Sequence, residues 1–118
     1  MSNIEDLIER RGEPVSIYRR SESGVDEFNR PVYTWTLQAV ERAFIQPVGQ
    51  ASGVGEVITR AGELAVDDRV GFFPPDSAVQ DDDQVEWAGS RYDVEAVQSR
   101  RVGGATVFKV ALLRRLVE

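Results

Sequence analysis

The sequence contains no cysteine and no histidine, a single lysine and a single methionine, and no long apolar run. Without cysteine there is no disulfide framework, thiolate nucleophile or thiolate metal site, and without histidine no imidazole base or ligand. Nothing approaches the ~18 apolar residues of a spanning helix, and no cationic leader followed by an apolar stretch opens the chain at Met1 to Asp6. The expectation is a protein made and used in an aqueous compartment, with no membrane partner. At 118 residues and 42% hydrophobic content, a single domain over 1–118 is expected, with a core that needs neither staple nor metal.

What is present is acidic and uneven. Fourteen basic residues, all Arg except Lys109, face twenty acidic ones for a net charge of −6. Acidity with almost no lysine fits a GC-rich genome or adaptation to high salt. Residues 1–62 sum to −2, residues 63–99 to −8 and residues 100–118 to +4. An acidic middle and a basic end could let identical subunits, or stacked proteins, find each other.

Ile4, Leu7 and Ile8 fall on one helical stripe, Ser2 and Glu5 have capping-box spacing, and Gly12 and Pro14 end the helix, so residues 1–12 are expected as a short helix. At about two turns it is unstable alone and must dock on its own domain or on a neighbouring subunit. From Pro14 the period becomes two: Val15 and Ile17, then Tyr33, Trp35 and Leu37 across a connection from Ser21 to Pro31, predict a hairpin with a projecting tip. Phe28 in that tip either folds back or waits for a partner. Val40 to Pro47 reads as another strand. Residues 48–62 follow as a projecting loop, with three glycines in the nine positions from Val48 to Glu56.

Val70 to Phe73 is an apolar strand ended by Pro74 and Pro75. Gln84 to Ala88 and Arg91 to Gln98 read as a hairpin joined at Gly89-Ser90, with Tyr92, Val94 and Ala96 on one face. A turn near Val102 to Gly104 leads into Thr106 to Leu113, where Phe108, Val110 and Leu112 share a face. Six or seven strands and one helix predict a mainly β fold: a small antiparallel β-barrel, SH3-like or sandwich-like, over 13–118.

The chemistry-bearing residues are few. Asp81-Asp82-Asp83 lacks the alternate ligand spacing of a calcium loop, and with Asp67-Asp68 it reads as solvated turn material. No serine lies in a G-x-S-x-G elbow, no glycine cluster makes a phosphate loop, and Lys109 is expected to face solvent. An enzyme, a bound metal and a cofactor are therefore not expected. Trp35, Tyr33, Trp87, Tyr92 and Phe108 are candidates for single-strand stacking, but their period-2 settings place them in the core first, and −6 opposes counterion-driven binding.

Gly71-Phe72-Phe73-Pro74-Pro75-Asp76, then Asp81 to Trp87 and Gly89 to Val97, resemble in order and spacing the head-closure, or stopper, proteins of the head-tail connector of tailed viruses. The segments Val15 to Arg20, Arg30 to Tyr33 and Ala43 to Pro47 extend the resemblance over most of 13–115. It implies a β-barrel subunit of a ring, commonly of twelve copies, in the virion neck. That ring lies between portal or adaptor and tail, around double-stranded DNA held without sequence readout, and is assembled in the host cytoplasm. The matching channel-gating loop is Val48, Gly49, Gln50, Ala51, Ser52, Gly53, Val54, Gly55 and Glu56. Arg100, Arg101, Arg114 and Arg115 against Asp81, Asp82 and Asp83 are the candidate inter-subunit or adaptor contacts. The rival readings are a tail-completion or terminator ring protein and a cellular small barrel that binds a peptide or oligonucleotide.

Overall fold

The computed structural model describes residues 4–47 and 68–116. Helix α1 (Ile4–Arg11) precedes strands β1 (Glu13–Val25), β2 (Pro31–Pro47), β3 (Arg69–Phe73), β4 (Gln84–Trp87), β5 (Ser90–Val102) and β6 (Ala105–Arg115). Among the described residues every pairing is antiparallel, in the order β1-β2-β3-β6-β5-β4, and β4 returns to β1, so one sheet closes into a barrel. The mainly β reading with a short N-terminal helix agrees with this. The loop expected over 48–62 lies outside the described residues.

The segments expected as separate strands at Val32 to Leu37 and Val40 to Pro47 are one 17-residue strand. Ile17 pairs with Ala39 but Tyr18 with Leu37, which leaves Gln38 as an extra residue in β2. Such a bulge reverses the faces of everything beyond it. Ala43 and Ile45 belong to the barrel interior, whereas Tyr33 and Leu37 are 43% and 50% exposed. Tyr33 and Trp35 are thus not the core residues that their alternation suggested.

A second bulge sits at Glu95. Val94 pairs with Leu113 and Ala96 with Leu112, so Val94 and Ala96 do not share a face as expected. Val94 packs inside the barrel with Val15, Ile17, Phe73, Val85 and Leu113. Ala96 joins a second core on the outer surface, with Val70, Phe72, Val110, Leu112 and Ile8 of α1. The helix therefore docks on its own sheet. All of Val110 to Leu113 is buried because β6 is covered on both sides.

The β4–β5 turn is Ala88-Gly89 rather than Gly89-Ser90, since Trp87 pairs with Ser90. Both turn residues have positive φ, 52° and 82°, as a two-residue turn needs to follow the twist of its strands. Gly103 and Gly104 serve the β5–β6 hairpin in the same way, at 60° and 87°.

Candidate functional site

One end of the barrel concentrates the unusual features. β4 pairs with β1 only up to Tyr18, and β3 pairs with β2 only from Phe44 onward, so β1 and β2 continue as a two-stranded arm. β5 and β6 likewise extend beyond their other partners toward Gly103. Because β1 and β5 are each antiparallel to β4, both extensions leave from the same end. The molecule is accordingly long, 56 × 29 × 27 Å.

That end is closed by the loop 74–83, which lowers Val79, only 2% exposed, onto the interior core. Polar bonds hold it down. Arg19 donates through Nε and Nη2 to the two carboxylate oxygens of Asp83 at 3.0 and 2.9 Å, and through Nη2 to the Ala78 carbonyl at 2.6 Å. The bond to Asp83 raises the Arg19 guanidinium above its ordinary value, against the opposing effect of burial. Lys109 Nζ donates to the Ser77 carbonyl at 2.7 Å, and the Ser77 hydroxyl donates to the Glu41 carboxylate. Lys109 is therefore half-buried structural glue, not the solvent-facing residue expected. Its side of β6 is that of Ala111 and Leu113, the interior.

Asp83 corrects a second expectation. It is 2% exposed and accepts from the Gln80 amide at 3.0 Å as well as from Arg19. It is not a solvated turn residue, though its neighbours Asp81 and Asp82 are exposed. Asp81 Oδ1 accepts from the Val97 amide at 2.7 Å. Asp68 is also not turn material: it is 1% exposed and bridges Arg114 at 3.2 Å, which reaches Glu95 of the bulge at 3.5 Å.

The seven charged residues expected at subunit contacts are thus divided. Asp83 and Arg114 are engaged within the subunit; Asp81, Asp82, Arg101 and Arg115 are exposed and Arg100 is half-buried. Arg100 and Arg101 lie on the β5 extension, while Arg115 pairs with Tyr92 near the opposite end, so the two basic pairs do not form one patch. The gating residues Val48 to Glu56 lie outside the described residues.

The arm carries features that sequence reading missed. Its strands run to Val25 and from Pro31, which leaves only Asp26 to Arg30 as turn rather than Ser21 to Pro31. The Asp26 carboxylate organises this turn. It accepts from the amides of Phe28 and Arg30 at 2.8 and 2.9 Å and from Arg30 Nε at 3.1 Å. Those bonds, led by the Arg30 amide, hold the Asp26 carboxyl below its ordinary value. Arg30 lies 5.0 Å from the Phe28 ring centre, and Phe28 stays 68% exposed. Asp at the start of a turn with Arg four residues on was a legible signal for this cap.

One face of the arm is apolar and aromatic: Tyr18, Tyr33, Trp35 and Leu37, with Arg20 over Tyr33 at 4.6 Å. The other bears Ser21, Thr34 and Thr36. On the body, a groove separates α1 from Pro74 and Pro75, floored by Ile8 and rimmed by Asp6, Glu9 and Asp76. Arg42 beneath it donates to the carbonyls of Gly12 at 2.6 Å and Glu9 at 3.1 Å, closing the helix end. Among the described residues, no three acidic side chains sit close enough to hold a metal ion.

The sequence matches no protein-family model, and no curated protein is significantly similar to it. Solved structures share its fold. Protein SF1141 from Shigella flexneri 2a is 16% identical with a TM-score of 0.59, over 87% of this chain and 90% of that one. A chain of the virion of the native gene transfer agent particle is 13% identical with a TM-score of 0.55, over 90% and 96%. The protein xkdH of the phage-like element PBSX from Bacillus subtilis is 13% identical with a TM-score of 0.51, over 89% and 96%.

Proposed function

We propose that this chain is a non-enzymatic structural protein of a tailed-virus particle, a subunit of the head-tail connector that acts as a stopper. The observation that carries the reading is the nearly end-to-end likeness, 90% of this chain on 96% of the other, to a component of a gene transfer agent virion. The shared fold with xkdH of a phage-like element points the same way. The architecture suits a mechanical part: a closed barrel, latched at one end, from which two hairpins project to reach neighbours. In this reading copies form a ring, twelve in the resembling family, between portal or adaptor and tail, with double-stranded DNA passing without sequence readout. Residues 48–56 supply the gate, and the exposed members of the charged set, Asp81, Asp82, Arg101 and Arg115, meet neighbouring subunits.

The test is made on particles. The protein should be located at the head-tail junction by cryo-electron microscopy, and particles made without it should be filled heads that lack tails and lose DNA. Tailed, DNA-tight particles assembled without the protein would sink the connector assignment. Deleting residues 49–55 should leave assembly intact but let heads leak; tight heads would remove the gate.

A further inference from the structure

We propose that the tip of the β1–β2 arm, with Phe28 under Arg30, docks in the groove between α1 and Pro74-Pro75 of a second copy of this chain. The tip is built as an anchor. Phe28 is 68% exposed and the Arg30 side chain 69%, yet the Phe28 backbone amide and the Arg30 guanidinium are both bonded to one Asp26 carboxylate, and the guanidinium lies 5.0 Å from the Phe28 ring centre. An ordered, exposed aromatic-arginine pair loses little freedom on binding, and such side chains dominate interface energies.

The groove answers the tip in shape and charge. The half-buried Pro74 and Pro75, beside the buried Ile8, give an apolar surface on which an aromatic ring can lie, and Glu9 and Asp76 present carboxylates to a guanidinium. Beside them, Arg10 and Arg11 in the last turn of α1 offer the opposite sign to Glu27 of the tip. Arg42 does not compete, because its guanidinium is turned to the carbonyls of Gly12 and Glu9.

A subunit cannot satisfy its own groove. From Pro31 at the tip to Arg42 at the groove the same strand runs eleven residues, about 36 Å at ~3.3 Å per residue. The contact is therefore between copies, and since tip and groove differ it is heterologous: each subunit offers a tip to one neighbour and a groove to the other. It rests on two surfaces of this chain alone and holds whether or not the protein belongs to a virion.

Sedimentation equilibrium on the intact chain tests it. The wild type should self-associate with rising concentration. Arg30→Glu, and separately the double change Glu9→Arg with Asp76→Arg, should each weaken association at least tenfold while leaving the circular dichroism unchanged and shifting the melting curve by no more than the loss of an exposed ion pair allows. Mixing the two variants should restore association, because every tip again meets a groove of opposite sign. A wild type monomeric to about 1 mM, variants that associate normally, or a mixture that stays apart would each overturn the proposal. Should a variant fold poorly, the absence of native cysteine allows a second measurement. Single Glu27→Cys and Arg10→Cys proteins, oxidised together, should crosslink more readily than either alone; equal yields would refute the docking.

Discussion

Arg19 does more at the barrel end than its place in an alternating strand suggests. Its guanidinium serves Asp83 twice and the Ala78 carbonyl once, joining β1 to a loop about sixty residues away. Removing it leaves a carboxylate of 3% side-chain exposure facing its remaining bond from Gln80. Breaking a buried pair from one side costs about 3–5 kcal/mol, and the low end applies because Arg19 keeps 31% of its side chain in water. Arg19→Ala should therefore lose about 3 kcal/mol in denaturant unfolding, with Val79 amide exchange accelerated. Arg30→Ala, which breaks an exposed pair, should lose under about 1 kcal/mol. Equal losses would mean that the latch contributes no more than a surface bridge. Ala88 presents the opposite case, a residue the backbone does not favour. At φ 52° its Cβ is crowded; Asn has the same Cβ, but its side-chain amide can bond the local backbone there, which offsets about 1 kcal/mol of the left-handed cost. Ala88→Asn should raise the unfolding midpoint without changing the denaturant slope.

At the scale of the element, the arm shows how a ribbon that no third strand among the described residues supports keeps its shape. A lone two-stranded hairpin is marginal in water. Here it gains order from its root in the barrel, the Arg20-Tyr33 contact and the Asp26 cap. Because bonding lowers the Asp26 pKa, its contribution is complete above the unfolded value of 3.8 and is lost as pH falls through the folded one. The Phe28 and Arg30 amides should stay protected at neutral pH and lose protection in acid below pH 3.8, while barrel amides persist longer. Asp26→Asn should remove that step; an unchanged acid profile would show that the cap does not order the tip. The hairpin itself was legible from period two, and so were Val70 to Phe73 and the strands around Trp87 and Tyr92. The bulges at Gln38 and Glu95 were not. A bulge is chosen by the partner strand's register and by which face finds a core, and neither is local to the sequence. That is why alternation alone puts Tyr33, Trp35 and Ala96 on the wrong face, and why Asp68 and Asp83, with partners 46 and 64 positions away, look in sequence like ordinary turn carboxylates.

At the scale of the whole molecule, stability is divided between two cores on opposite sides of one closed sheet. The inner core is sealed by the ring of hydrogen bonds and the loop carrying Val79. The outer core depends on α1, whose Ile8 is 5% exposed and whose end at Gly12 has no room for a Cβ beside the Ile8 carbonyl. Neighbouring phenylalanines separate the two contributions, since Phe73 points inward and Phe72 outward beneath the helix. Truncating a buried Phe to Ala costs about 3–5 kcal/mol. Phe73→Ala should approach the upper figure and unfold the barrel as a unit, because its cavity is enclosed on every side. Phe72→Ala should cost less, since α1 can settle into the space. Removing residues 1–11 should then separate the cores outright: Val70, Val110 and Leu112 become exposed, a hydrophobic dye binds and the melting temperature falls. Slowly exchanging amides of β1, β4 and β5 should survive, because their ladders close without the helix. Loss of those amides together with α1 would show that the ring cannot hold its interior alone, and that the helix is part of the fold rather than a cover docked upon it.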